Sequence, residues 1–221
     1  MTFRWKKADE SDVFFHCPNH VDKRIYYARI FTPRAGFEYS PTNQLILNLK
    51  IPPPVPANRQ YHKNSAIEKF AQEVANLLNR PKHQEMTFTI VPVPTSHAET
   101  DPAYDDRLIR VARRVAELCS HVKFLPLLRR SRTVPKLHQS SAARSETAVY
   151  ETVRIDVSQQ ANYTACSAII LLDDVTTSGA SFEGCRRRLE EEMPGELIIG
   201  VFWAKSQSIP TNPQDDFGPL P

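Results

Sequence analysis

The residues from 168 to 185, AIILLDDVTTSGASFEGC, carry the densest chemistry in the chain. Asp173 and Asp174 stand side by side at the end of an apolar run, and Thr176, Thr177, Ser178, Gly179, Ala180 and Ser181 follow almost at once. A short continuous apolar run reads as a strand buried on both faces. A helix beginning near Ser181 would present unpaired backbone N–H groups and the positive end of its dipole. The small residues from Thr176 to Ser181 let that backbone wrap an anion closely, and their hydroxyls add donors, which makes a phosphate cradle. It is not a P-loop, because no Gly-Lys-Ser/Thr follows. Two carboxylates beside a phosphate would repel it unless they held something else. Two sugar hydroxyls or a metal ion are the natural guests, and a ribose 5-phosphate satisfies both halves of the stretch.

A second group is basic. Arg129, Arg130, Arg132 and Lys136 share a polar stretch with His138, Gln139 and Arg144. Three readings apply: a solvated loop, a lid that folds over a pyrophosphate, or a patch facing nucleic acid. The lid reading rests on the bidentate fit of guanidinium to phosphate oxygens, and closure would keep water from the ligand. The nucleic-acid reading would draw on Arg110, Arg113 and Arg114 of a nearby helix.

These residues need a scaffold, and its rhythm is legible from residue 86 onward. MTFTIVPVP reads as a strand, DDRLIRVARRVAELC as an amphipathic helix, and VKFLPLL as a short strand. AVYETVRI reads as a strand, AIILLDD as a buried strand, SFEGCRRRLEEEM as a helix with Phe182, Cys185 and Leu189 inward, and ELIIGVFWAK as a final strand. Alternating strands and helices predict an α/β fold with a mostly parallel sheet flanked by helices. In such sheets ligands sit beyond the carboxyl ends of the strands, where Asp173 and Asp174 would lie. Upstream, RIYYARIFT reads as a strand. SPTNQLILNLK reads as a short helix capped by Ser40 with Pro41 in its first turn, and SAIEKFAQEVANLLNR as a helix behind an Asn64/Ser65 cap. IPPPVP is an extended connector, and the proline-rich residues after about 207 form a tail. The expected organisation is an N-terminal extension or hood over 1–84, a core over 85–206 and a tail over 207–221.

The totals narrow the classes. The chain has 221 residues and a net charge of +3, too weak to imply nucleic-acid binding by itself. Four scattered cysteines form no C-x-x-C pair, which argues against a disulfide scaffold or a cysteine-rich zinc site, and Cys17 with His16 and His20 has poor metal spacing. With no apolar signal core and no membrane-length run, a soluble cytoplasmic protein is expected.

At LLDDVTTSGAS the chain resembles the ribose-phosphate signature of type I phosphoribosyltransferases. The resemblance implies that Asp173 and Asp174 contact the ribose hydroxyls of phosphoribosyl pyrophosphate and that Thr177 to Ser181 hold its 5-phosphate. TIVPVPTSHAETDPAYDDRLIRVARRVA is similar to the strand, loop and helix of the ComF-like branch, which places Thr95 and Ser96 on the pyrophosphate. That loop's usual Arg-Gly-Phe-Asn-Gln run is replaced here by AYDDR, residues 103–107. LRRSRTVPKLHQSSAARSETAVYETVRI resembles the branch's flexible loop, with Arg144 where the branch places an arginine. The branch's N-terminal zinc ribbon is absent. The match covers about 86 to 205. It implies transfer of a ribosyl phosphate to a nitrogenous or nucleotide acceptor, with Mg²⁺ at Asp173, Asp174 and the leaving pyrophosphate. It equally implies a silent or regulated ribose-phosphate-binding module of a DNA-uptake, nucleic-acid-processing or antiphage defence system. A nucleic-acid partner and a homo-oligomer are further expectations. Some family members place a carboxylate base where Thr177 stands, and threonine cannot act as one. Acceptor choice is expected from the N-terminal 80 residues, where Tyr26, Tyr27, Phe31 and Phe37 pack or stack.

Overall fold

Every residue from Ala168 to Leu172 is apolar because both faces of this strand are covered. Side chains alternate across a sheet. Ala168, Ile170 and Leu172 therefore join one core, with helices from before and after residue 85, while Ile169 and Leu171 join a second core on the opposite face. In the computed structural model, which describes residues 4–12, 14, 17, 22–134 and 145–208, this strand is the axis of an α/β fold. The strands are β1 (Lys6–Lys7), β2 (Ile25–Phe31), β3 (Phe88–Pro92), β4 (Val122–Phe124), β5 (Leu128–Arg130), β6 (Val153–Ile155), β7 (Ala168–Thr176) and β8 (Ile198–Ser206). The helices are α1 (Pro41–Leu49), α2 (Ala57–Leu78), α3 (Arg107–Leu118), α4 (Glu146–Thr152), α5 (Val157–Gln160) and α6 (Ala180–Glu192).

The main sheet has six strands in the order β1-β2-β8-β7-β3-β4. Only the β1–β2 pair is antiparallel; β2–β8, β8–β7, β7–β3 and β3–β4 are parallel. β5 and β6 form a separate antiparallel ribbon. From β3 the chain builds outward to β4, then returns to the other side of β3 with β7 and adds β8, which docks beside the earlier strand β2. The carboxyl ends of β3 and β7 thus flank the switch point, where open α/β sheets leave a crevice.

The N-terminal segment is woven into this sheet. β2 pairs with β8 along Ile25↔Gly200 to Phe31↔Ser206. Glu73 of α2 is buried and accepts from both Arg29 of β2 and Trp203 Nε1 of β8, the latter at 2.6 Å. Phe70 stacks on Trp203 with centroids 4.7 Å apart. Tyr26, Tyr27 and Phe31 are packed against the two cores, and only Phe37 of the four aromatic residues is exposed.

Several sequence expectations meet the structure directly. α1 starts at Pro41 behind Ser40, whose hydroxyl accepts from the Asn43 N–H. Two others need correction. α2 begins at Ala57, so Asn64 and Ser65 lie inside the helix and cap nothing. Its first turns carry no apolar stripe, with Tyr61 76% exposed, which hid them from a periodicity argument. The residues AVYETVRI are mostly helical: α4 runs from Glu146 behind Ser145, whose hydroxyl accepts from Ala148 N–H, and only Val153–Ile155 is strand. β-branched content pointed to a strand, but α4 is held by packing on α6, where Gly184 gives Val149 room for close approach.

Candidate functional site

A cleft of about 430 Å³ opens over the switch point. Its walls include Thr95 and Ser96 after β3, Asp173 to Ser181 from β7 into α6, Arg130 of β5, and Lys50 and Arg107.

Strand alternation answers why two aspartates can stand together. Asp174 continues the face of Leu172 and meets Lys50, at the C-cap of α1, and Arg107, the first residue of α3. Lys50 Nζ lies 2.8 Å from Asp174 Oδ1, and Arg107 donates from Nε and Nη2 to Oδ2 at 2.8 and 2.7 Å. Asp173 continues the face of Leu171, towards the cleft, and its Oδ1 accepts from the Asp174 N–H at 2.7 Å. Environment therefore splits the pair. Burial and the neighbouring Asp174 charge push the Asp173 carboxyl up towards neutrality. Burial would also raise Asp174, but Lys50 and Arg107 outweigh it and hold that carboxyl well below the usual range.

Behind Asp174 runs a buried charge chain. Arg107 also bonds Asp105 through Nη1 at 2.9 Å, and Asp105 accepts from Lys63 Nζ at 2.8 Å. Lys63 is 2% exposed and donates as well to the Ile51 carbonyl at 2.6 Å. Burial lowers its pKa, with Asp105 opposing that effect. Four charged side chains from α2, the loop before α3, α3 and β7 are thus locked together, with Lys50 at the outer end.

The loop after β7 forms the other wall. Gly179, the N-cap of α6, has φ +80°, a backbone region that glycine enters without a Cβ penalty. A Cβ there would also lie 2.9 Å from the Cys17 Cβ, so the residue allows the segment around Phe14 and Cys17 to brace the loop. Glu183 in the first turn of α6 accepts from the Cys17 thiol and pairs with Lys23 and, within the helix, with Arg186. The Cys17 thiol, buried beside Glu183, is pushed up to about 12 and is not a reactive nucleophile. Thr177 is exposed, Ser178 and Ser181 are half-buried, and Thr176, Gly179 and Ala180 are buried around the leading N–H groups of α6.

Of the expected pyrophosphate contacts, Thr95, Ser96 and Arg130 face the cleft. Arg130 is also structural: its Nε donates to the Thr95 carbonyl at 3.0 Å, and Nη1 reaches Thr152 Oγ1. Arg129 lies on the outer side of the ribbon, 3.6 Å from Asp156, and Arg132 is exposed; neither lines the cleft. Lys136, His138, Gln139 and Arg144 fall outside the described residues, as do His16, His20 and the tail from 209. The α3 arginines spend their charge locally: Arg114 pairs with Glu68 and Glu117, Arg110 bonds Asn64, and Arg113 sits over Phe124.

Lys50, Lys63, Asp105 and Arg107 were not among the sequence-derived site residues. A signal existed for Lys63: extending α2 backward puts it four residues before Ile67, on the apolar stripe. Among the described residues no cluster of three or more His, Cys, Asp or Glu side chains could hold a metal ion, and both Asp174 oxygens already face cations. Neither a family model nor a curated protein matches the chain. Among the described residues, no helix is long and apolar enough to cross a membrane.

Proposed function

We propose that the cleft binds phosphoribosyl pyrophosphate and that the protein is a type I phosphoribosyltransferase-like enzyme. One observation carries the reading: at the switch point a small-residue loop entering α6 and a split aspartate pair stand on adjacent walls of one cleft. The loop suits the 5-phosphate, through the leading α6 N–H groups and the Thr177, Ser178 and Ser181 hydroxyls. Asp173 faces the ribose hydroxyls. Thr95 and Ser96 approach the pyrophosphate, with Arg107, Lys50 and Arg130 supplying positive charge that the sequence-derived lid was expected to bring. Mg²⁺ belongs with the ligand's diphosphate, since the carboxylates gather no resident set; it would neutralise the leaving group. The chain's own contribution is positioning and preorganised charge.

A second reading has its own support. Asp174 is clasped by two cations, and Thr177 provides no carboxylate base, which suits a module that binds the ligand without transferring it. Calorimetry with phosphoribosyl pyrophosphate and Mg²⁺ tests both. Binding that is lost in Asp173→Ala/Asp174→Ala supports the site; no binding, or binding unchanged in the variant, rejects it. Pyrophosphate release across bases, nucleotides and nucleic acids then separates enzyme from binder.

A further inference from the structure

A second cavity, of about 450 Å³, lies at the opposite edge of the sheet. Its floor is apolar: Phe88 and Ala168 open β3 and β7, Ile199 and Val201 belong to β8, and Leu77 and Leu78 end α2. Met86, Tyr26, Trp5 and the exposed Leu197 complete it. The size is that of small-molecule sites, which are mostly apolar with a few placed polar groups.

The rim has one sign of charge. Among the described residues Lys7, Arg24, Arg80, Lys82 and His83 line the cavity, and no carboxylate does. His83 is engaged by the Leu77 carbonyl. Among the described residues, Lys7, Arg24, Arg80 and Lys82 have no acidic partner within ion-pair distance. Cations with acidic partners elsewhere include Arg114 with Glu68, Arg186 with Glu183, Arg187 with Glu146 and Lys205 with Asp12, whereas at this rim four cations without one gather around a single hollow. Four uncompensated cations around one apolar hollow repel one another, and an anionic group at the mouth removes that repulsion while an apolar body fills the floor.

We propose that this cavity is a second ligand site, for a small soluble amphipathic anion: an alkyl or aryl body bearing one carboxylate or phosphate head. The body lies on Phe88, Ile199, Val201 and Leu77, and the head meets Arg24, Arg80, Lys82 and Lys7. A neutral or cationic analogue of equal length lacks the second half of this fit. The site is separate from the cleft: the two share no lining residue, and along β7 Ala168 of the one stands five residues, about 17 Å at ~3.3 Å per residue, before Asp173 of the other.

The test uses the full chain and calorimetry with decanoate, decanol and decylammonium, at low and high salt. One decanoate per chain is expected, bound at least about tenfold more tightly than decanol or decylammonium, with that preference shrinking at high salt because the rim is exposed. Leu197→Glu places a carboxylate at the mouth without disturbing the buried floor. It should weaken decanoate at least about tenfold while melting temperature and phosphoribosyl pyrophosphate binding stay unchanged. Arg80→Ala/Lys82→Ala should bring decanoate and decanol close to parity. Equal affinity for the three compounds in the native protein, no saturable decanoate binding, or decanoate binding indifferent to both variants would overturn the proposal. Because phosphoribosyl pyrophosphate is titrated separately, failure here leaves the reading of the cleft standing, and the reverse holds too.

Discussion

At the carboxyl edge of the sheet, Lys63, Asp105, Arg107, Asp174 and Lys50 alternate in sign, and each buried charge touches its opposite. At the amino edge Lys7, Arg24, Arg80 and Lys82 surround an apolar hollow with no acid among its described lining residues. The first arrangement is already satisfied without a ligand, and a ligand must exchange partners with it. The second is left unsatisfied, and a ligand adds the missing charge. A protein can therefore prepare for anions in two ways: by holding cations on an internal anion, or by leaving them facing an empty place. The first keeps guanidinium groups fixed at the cost of competition, and the second keeps them available at the cost of mutual repulsion.

The largest expected effect tests how far the charged edge is structural. Replacing Lys63 by Met leaves the Asp105 carboxylate buried with only Arg107. Urea unfolding should show a loss of about 3–5 kcal/mol, the range for breaking a buried ion pair. The matching change at the other edge, Leu197→Ser, should stay within about 0.5 kcal/mol, because that side chain is 37% exposed. Comparable losses would mean that the two edges do not differ as described.

Next in size is Gly179→Ala. The left-handed conformation alone costs about 1–2 kcal/mol for a residue with a Cβ, and the contact with Cys17 adds to it. Thermal unfolding should register that loss, and calorimetry should show phosphoribosyl pyrophosphate binding abolished. Intact binding would remove the loop from the site.

Asp173→Asn should move stability and binding in opposite directions. The Asp173 carboxyl is raised in the folded state, so between about pH 4 and about pH 7 the folded protein holds a proton that the unfolded chain has lost. Stability contributed by this residue therefore falls as pH rises through that window. The Asn variant should be more stable than the native protein by on the order of 1–2 kcal/mol at pH 8, with the advantage fading towards pH 4. It should bind ribose 5-phosphate more weakly. Asp174 has the opposite sign: its lowered pKa gives stability that is present above about pH 4 and lost as pH falls towards 2.

The smallest effect is the most diagnostic. Asp174→Asn removes the anion that occupies Lys50 and Arg107. Inorganic pyrophosphate should then bind more tightly, by about 1 kcal/mol, or roughly fivefold, while ribose 5-phosphate weakens. Pyrophosphate binding unchanged or weakened would show that the two cations serve Asp174 alone.

The main strand–helix order from residue 86 onward was legible except at α4 and at the short elements β5 and α5, because continuous apolar runs and helical periodicity reflect burial, which dominates local choice. α4 was misread because its helical state depends on contact with α6, which no local pattern records. The start of α2 was missed because its first turns carry no apolar stripe. Among site residues, the loop from Thr177 to Ser181 and the aspartate pair stood out by residue type and adjacency alone. Lys50, Lys63 and Asp105 are scattered across 56 residues of chain and belong to no local motif.

By itself, then, the sequence determined the buried strand, its paired carboxylates and the small-residue turn into α6, since these depend on neighbours in the chain. Only the tertiary structure decided which aspartate is clasped by cations, which cations meet it and which arginines face the cleft. It alone gathered four lysines and arginines around a hollow at the far edge. Charge state and recognition depend on distances of a few ångströms between groups far apart in the chain, and those distances exist only once the sheet has brought its strands together.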